Sequence, residues 1–181
     1  SHYHLASSAL EELCYKIIDM KNHNDYEHGV FYSVGPAQSN TSHINKVPDY
    51  AYCELCTVIS NDEEKQQVET FLKSLETYNH IEGCTTKVTL RFLYPPMPWT
   101  QANHNLAEVY DCAAKALGYN YTDQSCDSVG GCSQFAAMGI PSIDALGPMS
   151  VGSHTYAENL EIDSVKKRTE IFALMLAGMK E

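Results

Sequence analysis

Histidine, cysteine and acidic side chains are the groups that hold metal ions and move protons, and their spacing shows which of them can act together. The stretch GPMSVGSHTYAEN, Gly147 to Asn159, carries one histidine, His154, directly after Gly152 and Ser153, with Glu158 four positions on. Small residues on its near side let the backbone approach a site closely. Glu158 or a backbone carbonyl that accepts from the second ring nitrogen would orient the imidazole as a metal ligand. A second candidate is CELC, with Cys53 and Cys56 spaced like half of a zinc knuckle. The pair lies in YAYCELCTVI, which alternates as a strand does, and side chains three apart on a strand face opposite ways. The two thiols therefore diverge, and the pair reads as packing. A third group, NHNDYEH, sets His23 and His28 among Asn, Asp and Glu and reads as a solvated loop between a helix and a strand. The pair Gly130-Gly131 reads as a tight turn.

The elements that must position these groups follow from hydrophobic periodicity. Leu10, Leu13, Cys14, Ile17 and Ile18 recur at helical spacing over 6–20, with Glu11, Glu12 and Lys16 off that stripe. HGVFYSVGP (28–36) reads as a strand ended by Gly-Pro, and VPDYAYCELCTVI (47–59) as a second strand. Residues 60–79 form a helix capped by Ser60 or Asn61, with Val68, Phe71, Leu72 and Leu75 as its stripe. TTKVTLRFLY (85–94) is rich in β-branched and aromatic residues and reads as a third strand. The prolines of PPMPW, Pro95 to Trp99, break any regular element and mark a domain boundary. Before it the order is helix, strand, strand, helix, strand, a split β-α-β unit whose first strand would have to come from residues 1–5. After it come a helix over 106–117 ended by Gly118, a short helix over 132–138, a buried strand GIPSIDALG (139–147), the loop with His154, and a helix capped by Asp163 or Ser164. This alternation suggests an α/β layer.

Bulk properties exclude several functions. The 181 residues carry 12 basic and 23 acidic side chains, a net charge of −11, which repels phosphate backbones and argues against a nucleic-acid partner. No apolar run approaches the ~18 residues of a membrane helix, so no membrane partner is expected. The first residues show no basic region followed by an apolar one, and no signal peptide is expected there. Seven cysteines, irregularly spaced and odd in number, point to free thiols in a reducing, cytoplasmic setting.

The tail GGCSQFAAMGIPSIDALGPMSVGSHTYAENLEIDS resembles the closing segment of the zinc-dependent exopeptidases related to glutamate carboxypeptidase, acetylornithine deacetylase and aminoacylase. The features that carry the likeness are Gly130-Gly131 before a short helix, the Gly-Pro exit of GIPSIDALGP, and GSHTYAENLEIDS. Upstream, VGPAQSNTSHINKVPDYAYCELC resembles the lid segment of that family, where an Asn precedes Val-Pro-Asp, and YPPMP resembles the lid's return to the catalytic domain.

The resemblance implies an α/β protein: an α+β lid or dimerisation domain over 1–97, then the C-terminal portion of a catalytic domain over 98–181. It implies a two-zinc hydrolase acting on a peptide or N-acyl amide bond beside a free carboxylate, with a homodimer formed through the lid. By position, His154 is a metal ligand, Asn45 reaches the substrate, and Gly130 and Gly131 line the substrate cleft. The family's general base and most of its zinc ligands come from upstream of the lid, and one histidine cannot hold two ions. The sequence alone therefore predicts an incomplete or degenerate chain without its own catalytic residues. A non-catalytic dimerising or regulatory homologue is the alternative.

Overall fold

The computed structural model describes residues 6–121 and 128–179. The expected stub strand at 1–5, with His2 and His4, and the cysteine at 126 lie outside them. The chain divides into two compact units between Pro96 and Met97, and each has its own core.

The first unit opens with α1, Ala9–Asn22, capped by Ser8, whose side chain accepts from the Glu11 N–H. The antiparallel pair β1 (Tyr32–Ser39) and β2 (Ala51–Thr57) follows, then α2 (Asp62–Ser74). Asn61 caps α2 and Glu64 answers by accepting from the Ser60 N–H, while three acidic residues fill its first turn. Val68, Leu72 and Leu75 bury the expected stripe of α2 against Met20 and Tyr32.

Gly35-Pro36 does not end β1. The register shifts between Val34 and Ala37, so the dipeptide forms a bulge inside the strand, where a proline costs no ladder bond. β2 alternates strictly, with Cys53 half-buried toward the core and Cys56 exposed, so the thiols diverge as expected.

Two expectations fail in this unit. Helix α1 does not bury its apolar stripe: Leu10, Cys14 and Ile18 are exposed, and the buried positions are Glu12, Lys16 and Met20. The reason is chemical pairing. Lys16 Nζ donates to the carbonyls of Leu75 (2.9 Å) and Tyr78 (2.6 Å), stands 3.4 Å from the Tyr78 ring centroid and 3.4 Å from Glu12 Oε1. Glu12 Oε2 accepts from the N–H groups of His80 (2.8 Å) and Ile81 (2.7 Å). Two charges thus clamp the chain leaving α2 to α1.

The second failure is the strand at 85–94, which joins no ladder. Val88 and Leu90 still pack on the core, but side chains satisfy the backbone instead. Lys73 donates to the Val88 carbonyl and the Val88 N–H donates to Glu76.

In the second unit, α3 (Gln101–Ala116) packs on α5 (Ile162–Gly178) around Tyr110, Ala113, Ala114, Ile171 and Met175. The helix α3 starts five residues before its expected position, because Thr100 caps it. Gly118, at φ +79°, ends it with paired bonds from its own N–H and that of Tyr119 to Lys115 and Ala114. Residues 139–147 form no ladder, contrary to the buried strand expected there. A short hairpin not foreseen from the sequence, β3 (Ser150–Val151) with β4 (Asn159–Leu160), holds the His154 loop. Neither Asp163 nor Ser164 caps α5. Glu161 stands at the cap position without a side-chain bond, and the fully buried Ser164 accepts from the Met149 N–H and donates to the Glu161 carbonyl.

Removing Lys16 leaves Glu12 buried without its counter-charge. Lys16→Ala is expected to lower stability by about 3–5 kcal/mol, read as a fall in the urea midpoint, with Lys16→Met the milder change because its stem still fills the space.

Beside this pair, Tyr78 Oη and His80 Nε2 both bond Asp19 Oδ2, at 2.6 and 2.7 Å. Burial pushes the Asp19 carboxyl up, but the bonds from His80 and Tyr78 outweigh it and hold the group below its usual range. Burial and the bond to Asp19 push Tyr78 up to about 12. The Asp19 contribution is therefore present above the unfolded value of about 3.9 and is lost as pH falls through the lowered one. An acid titration of stability should be shallower in Asp19→Asn than in the wild type, and equal slopes would reject this role.

Candidate functional site

The His154 loop is a seven-residue connection between β3 and β4, and its backbone is tightly specified. Gly152 has φ +71°, and a Cβ there would stand 2.9 Å from the Ala157 carbonyl oxygen, so only glycine suits the position. The Thr155 N–H and hydroxyl both donate to the Gly152 carbonyl, at 3.0 and 2.7 Å. His154 itself has φ +65°, one of two non-glycine residues in the left-handed region among the described residues. A histidine held there costs roughly 1 kcal/mol or more and persists only where its surroundings impose it.

Glu158 imposes it, though differently from the expectation that its carboxylate would take the ring N–H. Its Oε2 accepts from the His154 backbone N–H at 3.2 Å. Among the described residues the ring makes no hydrogen bond, and His154 is exposed. The loop is tied to the start of α5 by the Met149 N–H on Ser164 and by the Glu161 N–H on the Met149 carbonyl. The imidazole is thus presented to solvent on a backbone that cannot swing freely.

Gly130 and Gly131 precede the short helix α4, Cys132–Ala137. Their carbonyls accept from Ser133 and Gln134, which leaves the amide N–H groups as the backbone donors of the turn that make no hydrogen bond among the described residues. Asn45 lies in the first unit, in an exposed turn of the loop joining β1 to β2. That loop is closed by the Asn40 N–H on the Tyr50 carbonyl, a side-chain bond from Asn40 to Asp49, and the Lys46 N–H on the His43 carbonyl.

Among the described residues, no three His, Cys, Asp or Glu side chains are grouped so as to hold a metal ion. His154 can supply one donor, but the described residues do not by themselves form a metal site. NHNDYEH is the exposed loop that was expected. Asp25 accepts from the Glu27 and His28 N–H groups and, at 2.7 Å, from the His28 ring, which holds its carboxyl below the usual range. A shallow groove over α2, lined by His23, Glu63, Gln67, Thr70, Phe71 and Ser74, includes none of the expected site residues.

Residues 8–178 match the model of Peptidase family M20/M25/M40. The chain belongs to that family. Among solved structures it is similar to the aminopeptidase PepT of Bacillus cereus, at 20% identity and a TM-score of 0.61, over 93% of this chain and 44% of that one. It is also similar to the YxeP protein of Bacillus subtilis, described as a dinuclear metal-binding peptidase of the M20 family, at 19% identity and a TM-score of 0.53, over 93% and 45%. At these identities the likeness shows the fold, an α/β arrangement with mixed helix and sheet, and the chain spans less than half the length of either structure. No curated protein matches the chain. No helix among the described residues is long and apolar enough to cross a membrane.

The left-handed backbone at His154 is directly testable. A glycine adopts it without strain, whereas alanine keeps the strain and loses the ring. His154→Gly should be more stable than His154→Ala by about 1 kcal/mol in paired denaturant titrations, and the reverse order would reject the conformation.

Proposed function

We propose that this chain forms part of an M20 metallohydrolase that cleaves a peptide or N-acyl amide bond beside a free carboxylate. In this reading residues 1–97 are the lid, through which two copies pair, and residues 98–181 are the C-terminal portion of the catalytic domain. The observation that carries it is His154: a solvent-facing imidazole on a strained hairpin fixed by Gly152 and Glu158, in a chain whose family match runs nearly end to end.

His154 is assigned as one ligand of a zinc centre whose other donors lie outside the described residues. Gly130 and Gly131 are assigned to the wall of the substrate cleft, where their amide N–H groups can meet an acyl or carboxylate oxygen. Asn45 is assigned to substrate contact from the lid. Its place in a loop rather than on a strand suits a group that meets ligand when domains or subunits close.

The test is zinc binding by the full-length protein beside His154→Ala. Wild type should bind zinc with at least about tenfold higher affinity than the variant, and the same protein should hydrolyse short peptides or N-acyl amino acids only when zinc-loaded. Equal zinc affinity in both proteins would reject His154 as a ligand. Zinc binding absent from both, with dimerisation intact, would favour the non-catalytic dimerising homologue.

A further inference from the structure

The glycine turn is held by a residue that the sequence pattern did not single out. Asp144 lies in the extended segment 139–147, and its carboxylate rests directly on Gly130. A Cβ added to Gly130 would fall 1.8 Å from Asp144 Oδ2 and 2.9 Å from its Cγ, while one added to Gly131 would meet nothing within 4 Å. The glycine at 130 leaves room for the carboxylate in this position, and a side chain there would make the carboxylate shift. The other oxygen, Oδ1, accepts from the Ala145 N–H at 2.7 Å, and Ala145 stands at φ +59°. This second left-handed residue turns the chain so that the carboxylate faces the turn. The charge of the same carboxylate and a hydrogen bond to it add to burial in raising the Cys132 thiol, at the start of α4. One side chain therefore lies against the turn before α4 and bonds its own following backbone.

We propose that Asp144 is the positioning residue that sets the geometry of the Gly130–Gly131 turn, with Gly130 as the notch that admits it. Its importance for substrate rests on the reading that this turn lines the cleft, whereas the contact between carboxylate and notch stands without it.

The thiol supplies the test. Burial, followed by the Asp144 charge and its hydrogen bond, pushes the Cys132 thiol up, so fewer thiolates are present near neutral pH than for a free cysteine. The pH dependence of alkylation by iodoacetamide, resolved cysteine by cysteine by peptide mass mapping of the full chain, reads this directly. In Asp144→Asn, which keeps the shape and removes the charge, the Cys132 midpoint should fall and its rate near neutral pH should rise about threefold or more. Rates at Cys53 and Cys84, in the other unit, should not change. Gly130→Ala, which expels the carboxylate, should reproduce the Cys132 signature.

An unchanged Cys132 midpoint in Asp144→Asn overturns the proposal. So does equal acceleration of all cysteines, which marks a loosened fold instead of a lost contact. A dipeptide or N-acyl amino acid added to the zinc-loaded wild type tests the cleft reading separately. Selective protection of Cys132 supports the turn as a substrate wall. Absence of protection together with the shifted midpoint in Asp144→Asn rejects the cleft reading while Asp144's hold on the turn stands.

Discussion

The first unit is organised around two charges that are almost completely removed from water. Glu12 and Lys16 lie one helical turn apart on α1, and neither has solvent to stabilise it. A buried ion pair rarely repays its desolvation by mutual attraction alone; it needs further hydrogen bonds on both partners. Here the extra bonds come from one source, the chain that leaves α2. Its carbonyls at Leu75 and Tyr78 take the ammonium, and its N–H groups at His80 and Ile81 take the carboxylate. These are backbone groups of the connection that follows α2, which no regular element pairs. The helix end and the ion pair thus solve each other's problem, and the arrangement fixes which face of α1 points inward. A rotation of α1 that buried Leu10 and Ile18 instead would take Glu12 and Lys16 away from the chain leaving α2.

The same principle explains why the sheet is so small. Residues 85–94 have strand composition and reach the core through Val88 and Leu90, yet they pair with Lys73 and Glu76 rather than with a neighbouring strand. Lys73 in the last turn of α2 and Glu76 just past it satisfy both backbone polar groups of Val88, which a ladder would have satisfied. In the second unit Ser164 plays the equivalent part. Its buried hydroxyl takes the Met149 N–H, and this anchors the base of the His154 hairpin to α5.

These substitutions of side chain for ladder mark the limit of what the sequence discloses. Element positions on the helices are legible because capping and periodicity are local: Asn61 with Glu64, Val68 through Leu75, and Gly118 after α3 all act within a few residues. The facing of α1 is not legible, since periodicity alone places Lys16 and Glu12 on the solvent side, and their partners lie about 60 to 70 positions away. Strands at 85–94 and 139–147 are expected but absent because composition reports what can sit in a sheet, not whether a neighbour is present to pair with. The bulge at Gly35-Pro36 looks like a stop for a similar reason: a proline signals a missing ladder bond without saying whether the strand resumes. Of the site, His154, its glycine and its glutamate are visible as a pattern. The use of Glu158 on the backbone rather than the ring, and the contact of Asp144 with Gly130, depend on approaches that no local rule encodes.

The two left-handed non-glycine residues among the described residues, Ala145 and His154, both fall in the segment that carries the family likeness nearest the site. Neither conformation lowers the energy of its own residue, so each must be held by its surroundings: Ala145 by Asp144 through its N–H, His154 by Glu158 through its N–H. In both cases a carboxylate accepts from the strained residue's backbone amide. The parallel suggests one local design used twice. An acidic side chain fixes a backbone that would relax if left alone, first to seat a glycine turn and then to present an imidazole. Strain of this kind does not by itself establish function. Among the described non-glycine residues it falls at these two positions, Ala145 and His154, and nowhere else.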